Sequence, residues 1–186
     1  MTFTNPAGPA AKLAAPAYVK ALMDVLGTRE PFSVLAQQEA ATRGALAGVS
    51  DDLARRPEKP GKWSLQQVLR HLADTEITYG FRMRMIVAED RPPILAYDQD
   101  LWSERLHYLE GTAAEALDDL AAMRRMNLRF YRRLSAKELA RWGMHSERGE
   151  ESADKIVRMM AAHDLVHRRQ LQRIRVAIGL PPSETP

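Results

Sequence analysis

The sequence contains no cysteine among its 186 residues. Disulfides, thiolate metal ligands and nucleophilic thiols of the chain itself are therefore excluded, and this composition fits the cytoplasm. No apolar run reaches the length of about 18 residues that a membrane-spanning helix needs, so we expect no membrane span. Residues 1–16 lack the charged segment followed by an apolar segment that is typical of a secretory signal.

The chain also has little excess charge, since 27 Lys and Arg face 24 Asp and Glu for a net charge of +3. Pairs of arginines occur at 124–125, 132–133 and 168–169, but apolar residues at helical spacing surround each pair. This pattern predicts solvated helix faces rather than a basic patch. Nucleic-acid binding is therefore not expected.

Strand-like alternation is scarce, and no stretch makes a convincing strand. Four long amphipathic segments instead predict helices, and the second and third begin at capping boxes, Ser64 with Gln67 and Thr112 with Glu115. The predicted helices run from Pro31 to about 49, from Leu65 to about 88, from Thr112 to about 134 and from Ser152 to about 178. Four such helices predict an all-α four-helix bundle.

The remaining segments set the expected domain limits. Residues 1–15 are rich in Ala, Pro and Gly and are predicted to be a flexible N-terminal segment. Residues 16–180 are predicted to form the bundle domain, with a first short helix at 18–26, and residues 181–186 a C-terminal tail. A short helix capped by Asp100 and a loop over 142–151 complete the prediction.

Two histidines in the last helix are the first candidate ligands. His163 and His167 are four residues apart, so their imidazoles stack on one helix face about 6 Å apart and can hold one divalent metal. A partly exposed helix face is the alternative explanation. The pair is not the His-Glu-x-x-His motif, because Asp164 follows the first histidine, and this disfavours zinc-protease chemistry.

A metal held by this pair needs at least one further protein ligand. His71 lies on the second long helix, and facing helices of a bundle place metal ligands inward. His71 is therefore predicted to converge with His163 and His167.

The order of several motifs resembles that of the DinB-like (DinB/YfiT) superfamily. Residues 62–64 (Lys-Trp-Ser) precede residues 68–76, which include His71 and end in Asp-Thr-Glu. The segment 145–149 (His-Ser-Glu-Arg-Gly) and the pattern His-Asp-x-x-His-x-x-Gln over 163–170 follow. The resemblance covers about residues 32–179.

This resemblance implies a bundle with up-down-down-up topology and a homodimer. It also implies a zinc or nickel ion held by His71, His163 and His167, with water at the open positions. The implied activities are metal-dependent hydrolysis of a small molecule, or transfer or isomerisation with a low-molecular-weight thiol such as bacillithiol, mycothiol or glutathione. Because the chain has no cysteine, such a thiol comes from outside.

Both reactions need groups that handle protons or charge. Asp74, the carboxylate nearest to the ligand face of the helix that carries His71, is the candidate proton handler; a partner for an imidazole N–H and a surface charge are the alternatives. Arg82 is a candidate for holding an anionic substrate or a cofactor carboxylate, against a salt bridge across the bundle. Thr75 and Thr78 are candidates for hydrogen bonding to water at the metal, or for packing.

Other polar and aromatic residues near the motifs are predicted to be structural. Glu76 lies on the opposite side of its helix from His71, and Asp164 points away from the ligand face. His145 is expected to hydrogen bond within its loop. Two tryptophans are expected to anchor the core and a loop, namely Trp63 and Trp102.

The sequence therefore predicts a metal-dependent enzyme that activates water or a thiol. The alternative is a non-catalytic metal-binding or stress-response module. A site with three protein ligands and an open position favours the enzyme, and a closed site with four protein ligands favours the module.

Overall fold

The computed structural model describes residues 9–183, and over this range the chain forms eight helices and three short strands. The helices are α1 (Pro9–Leu26), α2 (Pro31–Leu46), α3 (Asp51–Ala54), α4 (Leu65–Ala88), α5 (Gln99–Arg105), α6 (Ala113–Tyr131), α7 (Ala136–Leu139) and α8 (Ala153–Ala177). The strands are β1 (Pro93–Ile94), β2 (Trp142–His145) and β3 (Gly149–Ser152).

Helices α4 and α6 pack side by side and run in parallel. Near their N-termini, Arg70 of α4 donates a hydrogen bond of 2.8 Å to Asp119 of α6. Near their C-termini, Arg84 of α4 reaches Asn127 of α6 at 3.1 Å. The two matching pairs, one at each end, show that the chain crosses back along the bundle between α4 and α6.

Helices α2 and α8 are parallel for the same reason. Arg168 of α8 donates to the Gln38 side chain of α2 at 2.8 Å. Seven residues further along both helices, Arg175 donates to the carbonyl of Ala45 at 2.7 Å. The apolar core places the C-terminal end of α4 beside the N-terminal ends of α2 and α8, since Ile86 packs in one cluster with Leu35 and Ile156. The order is therefore up, down, down, up, and the predicted four-helix bundle is confirmed.

The helix starts follow the capping chemistry of the sequence. Ser64 with Gln67 and Thr112 with Glu115 each form a reciprocal capping box, so that the first N–H groups of α4 and α6 are satisfied. Ser152 caps α8 by accepting a hydrogen bond from the backbone N–H of Lys155. The short helix α5 differs from the prediction, because Asp98 and not Asp100 is its N-cap.

The first helix is longer than predicted. α1 begins at Pro9 instead of residue 18, and Ala11 and Ala15 are buried. Residues 9–15 are thus helical. Residues 1–8 and 184–186 lie outside the described range, and the predicted domain limits stay a prediction.

A small sheet occupies the segment that was predicted to be a loop. β2 and β3 form an antiparallel hairpin, and β1 pairs with β2 in parallel. Gly143 of β2 allows this pairing, because a Cβ there would lie 2.7 Å from the carbonyl oxygen of Pro92. Strands of two to four residues are too short for alternation to be visible, and the partner strand is remote in sequence.

A layer of polar side chains crosses the middle of the bundle between two apolar clusters. Arg124 and Arg168, which were predicted to be solvated, belong to this layer and are only 4% and 9% exposed. Arg168 donates to Gln38 and to the carbonyl of Val34. The candidate histidines lie at the same level. None of the helices within residues 9–183 combines the length and the hydropathy of a membrane-spanning segment.

Candidate metal centre

The three predicted histidines converge. His71 extends from α4, and His163 and His167 extend from α8 one turn apart. The Nε2 atom of His163 lies 3.1 Å from Nε2 of His71 and 3.0 Å from Nε2 of His167. In the part of the chain that the structure describes, no carboxylate joins this group, whose ligand atoms all lie within 4.8 Å of one another.

These distances fit a single metal ion. Zinc–nitrogen bonds of about 2.0–2.1 Å with tetrahedral or octahedral angles place two bound nitrogens about 2.8–3.4 Å apart. The separations of His163 from His71 and from His167 therefore already match those of two nitrogens bound to one ion. Imidazole is a ligand type that suits zinc, nickel, copper and iron, so the donor set fits a divalent transition metal.

The histidines present lone pairs because they are neutral. Burial, followed by the charges of the other two histidines, holds the pKa of His71 well below its usual value. Burial and the nearby His163 do the same to the pKa of His167. Burial and the Arg124 guanidinium lower the pKa of His163 to about 4. Near neutral pH, protons therefore compete weakly for the nitrogen lone pairs.

Neighbouring side chains orient two of the rings. Nδ1 of His167 lies 2.8 Å from Oε1 of Gln170, and because the amide oxygen accepts, Nδ1 carries the proton and Nε2 keeps a free lone pair. The Trp63 ring packs against the His71 ring, with centroids 4.9 Å apart. Trp63 thus anchors a ligand as well as the start of α4.

A cleft of about 730 Å³ opens beside the histidines, and we call it the outer cleft. His163 and His167 line its floor, and His163 is partly exposed there. Its walls include Trp63 and Gln170, together with four basic side chains: Arg29, Lys62, Arg169 and Arg173. The volume falls in the range of small-molecule sites.

A second, smaller cavity of about 30 Å³ also adjoins the histidines, and we call it the inner chamber. His71 and His163 line it. Its other lining residues are mainly aromatic or charged: Tyr18, Tyr79, Arg82, Ala96, Tyr97, Gln99, Glu147 and Arg148. The sequence did not indicate the three tyrosines, because they come from α1, from α4 and from the connection after β1, and no motif surrounds them.

The structure separates the two residues that were predicted to be catalytic. Arg82 lines the inner chamber, whereas Asp74 lines neither cavity and accepts a hydrogen bond of 2.5 Å from the Tyr108 hydroxyl. Burial raises the pKa of Asp74. Thr75 and Thr78 donate their hydroxyls to carbonyls of their own helix. Catalytic roles for Asp74 and Arg82 stay predictions.

His145 organises the hairpin, as its predicted structural role requires. Its Nδ1 accepts hydrogen bonds from the backbone N–H groups of Glu147 and Arg148, at 3.1 and 3.3 Å. Burial, and then the positive charge of Arg148, lowers the pKa of His145 to about 4. Trp102 likewise anchors a loop, since its ring lies 4.4 Å from the Tyr97 ring.

Acid is expected to destabilise the fold partly through His145. Its pKa is about 4 in the folded chain and about 6.5 in the unfolded chain, so the unfolded state binds more protons between these values and stability falls as the pH decreases through that window. This single group should account for about 2 kcal/mol between pH 7 and pH 5. Urea unfolding of the wild type and of His145→Asn at both pH values measures the difference, and equal losses in the two proteins would refute the role given to His145.

Comparison with known proteins agrees with this geometry. The model of the DinB superfamily matches residues 35–171. The chain is 26% identical over 149 residues to "Putative metal-dependent hydrolase YfiT" of Bacillus subtilis. This alignment covers 76% of this chain and 82% of that protein. It is 28% identical over 109 residues to "Putative metal-dependent hydrolase OB0782" of Oceanobacillus iheyensis, and this alignment covers 59% of this chain and 63% of that protein.

A solved structure shares the fold. YfiT from Bacillus subtilis, described as "a probable metal-dependent hydrolase with an unusual four-helix bundle topology", superposes with a TM-score of 0.75 at 18% identity. The match covers 97% of this chain and 94% of that chain. Since the family model spans most of the bundle, including all three histidines, the chain belongs to the DinB superfamily.

Proposed function

We propose that the protein is a metal-dependent hydrolase of small molecules, with zinc or nickel held by His71, His163 and His167. The observation that carries this proposal is a set of three neutral nitrogen donors, two of which, His163 and His167, line the outer cleft. Structural zinc sites are closed by four protein ligands, whereas catalytic sites have three and leave a position for water or substrate. The relatives named as metal-dependent hydrolases support the same reading.

The metal, when bound, polarises a carbonyl and lowers the pKa of water. The chain's own residues hold the donors in place. Gln170 keeps the Nδ1–H tautomer of His167, and Trp63 restricts rotation of the His71 ring. The outer cleft admits the substrate from the side of His163 and His167. Asp74 accepts from Tyr108 through Oδ2 and lines neither cavity, so its predicted proton transfer requires a change in side-chain conformation.

Thiol transfer is the second candidate, because the outer cleft is large enough for an external thiol of tripeptide size. Bacillithiol, mycothiol and glutathione are the thiols to test. A transferase should bind one of them and slow its reaction with a thiol-reactive dye. A hydrolase should leave that reaction unchanged and release acid from an ester or amide without added thiol.

Elemental mass spectrometry of untagged wild type and His163→Ala is the first test, followed by assays of both proteins with ester, amide and thiol panels. We expect nearly one zinc or nickel per chain in the wild type, little in the variant, and turnover only in the wild type. A wild type that takes up no metal, even after reconstitution, would contradict the enzyme and favour the non-catalytic bundle module. The homodimer stays a prediction that light scattering measures directly.

A further inference from the structure

We propose that the inner chamber binds the carboxylate of the substrate, so that the enzyme acts on small carboxylic acids. This inference rests on the proposed function, because it takes the three histidines as the reaction centre. His71 lines the inner chamber, His167 lines the outer cleft, and His163 lines both. The candidate centre therefore borders both cavities.

Arg82 supplies the positive charge of the chamber. It is only 6% exposed, and no carboxylate of the described residues forms an ion pair with it. Its Nη2 donates to the carbonyl of Leu95 at 2.5 Å, and its guanidinium lies over the rings of Tyr79 and Tyr97 at 5.1 and 5.7 Å. A buried guanidinium without a carboxylate retains unused N–H donors, and an anion is the partner that compensates its charge.

The remaining lining residues add hydrogen-bond donors. Burial raises the pKa of Tyr97, so its hydroxyl keeps its proton. Arg148 is already neutralised by Glu151, to which it donates at 2.5 and 3.0 Å. Glu147 is the acidic residue of the lining and forms no ion pair with Arg82 within the described residues. Arg82 and the Tyr97 hydroxyl therefore favour an acceptor with several oxygens.

The size of the chamber selects among such acceptors. About 30 Å³ is room for one or two water molecules, which a planar carboxylate can replace, whereas a tetrahedral phosphate is bulkier. Tyr18, Gln99 and His163 line both cavities and mark the passage between them. When the carboxylate of a substrate occupies the chamber, a bond a few atoms from that carboxylate lies at the three histidines. The rest of the substrate then lies in the outer cleft.

The test compares acetate with its neutral analogue acetamide and with inorganic phosphate. Binding is measured by NMR titration of the chelator-treated protein, so that the anion has no metal to bind. We expect acetate to bind with a millimolar dissociation constant, and acetamide and phosphate to bind at least tenfold more weakly. Arg82→Gln should weaken acetate binding at least tenfold and Tyr97→Phe severalfold.

Arg84→Gln is the matched control, because it removes the same charge from the same helix. Arg84 lies over the Phe130 ring and donates to Gly80 and Asn127, away from the chamber. The acetate affinity of Arg84→Gln should equal that of the wild type. Circular dichroism checks the folding of each variant, and Tyr97→Phe keeps the test decisive if Arg82→Gln does not fold.

Equal affinity for acetate and acetamide would overturn the subsite, as would tighter binding of phosphate or unchanged acetate binding in Arg82→Gln and Tyr97→Phe. Zinc binding, measured for the wild type and for His163→Ala, distinguishes this outcome from failure of the proposed function. If zinc binds but acetate affinity does not depend on Arg82, only the proposal of a carboxylate subsite is wrong. If acetate binding depends on Arg82 but no metal binds, the subsite remains and the metal-dependent function is wrong.

Discussion

Arg124→Ala is expected to destabilise the protein by about 3–5 kcal/mol, the cost of breaking a buried ion pair by removing one partner. The Arg124 guanidinium donates to Glu76 at 2.8 Å, to Asp164 at 2.6 and 3.0 Å, and to the carbonyl of Leu35 at 3.0 Å. These partners lie on α4, α8 and α2, so one side chain of α6 connects all four helices of the bundle.

The cost arises from the two carboxylates that remain. Burial already raises the pKa of Glu76 despite the lowering effect of Arg124, and without the guanidinium both Glu76 and Asp164 would be buried charges without a cation. Glu76 would take up a proton more readily, so the destabilisation should be larger at pH 8 than at pH 6. Because Asp164 follows His163, metal binding should weaken as well.

Urea unfolding followed by circular dichroism measures this effect, and the neighbouring Arg125 provides a control. Arg125 is exposed and pairs with Glu39 at the surface, so Arg125→Ala should cost less than about 1 kcal/mol. The combined variant Arg124→Met, Glu76→Gln and Asp164→Asn should recover part of the loss, because it leaves no buried charge. A cost for Arg124→Ala no greater than that for Arg125→Ala would contradict the role of the buried network.

The second large effect concerns metal affinity. His71→Ala should weaken zinc binding on the order of 1,000-fold, if three ligands share a binding free energy of about 10–16 kcal/mol. Gln170→Ala removes the partner of the His167 Nδ1–H but no ligand, and should weaken binding about 10- to 100-fold. The order of the two effects follows from the geometry, since His71 is a direct donor and Gln170 acts through His167.

Competition with a chromophoric chelator measures both affinities, and His107→Ala is the matched control. His107 is an exposed histidine whose nearest charged partner is Glu110 at 3.5 Å, so its removal should leave zinc affinity unchanged. Zinc should also raise the unfolding temperature of the wild type and of His107→Ala, but not that of His71→Ala. Wild-type affinity in His71→Ala would mean that the metal binds elsewhere.

Local chemistry in the sequence was sufficient to predict the four long helices and the convergence of three histidines. The capping boxes at Ser64 and Thr112 set the starts of α4 and α6, because they act within four residues of chain. The spacing of His163 and His167 set their common face for the same reason. With the order of the motifs, these short-range signals were enough to indicate the bundle, its family and the three histidines.

Only the tertiary structure decided which side chains face each cavity. Helical periodicity places Asp74 and Arg82 near the face of His71, but the rotation of α4 is determined by packing. As a result Asp74 lies against Tyr108, whereas Arg82 lines the inner chamber. The burial of Arg124 and the pairing of β1 with β2 depend on partners tens of residues away. The tyrosines of the chamber likewise come from separate elements, so their assembly follows from the folded packing and from no local pattern.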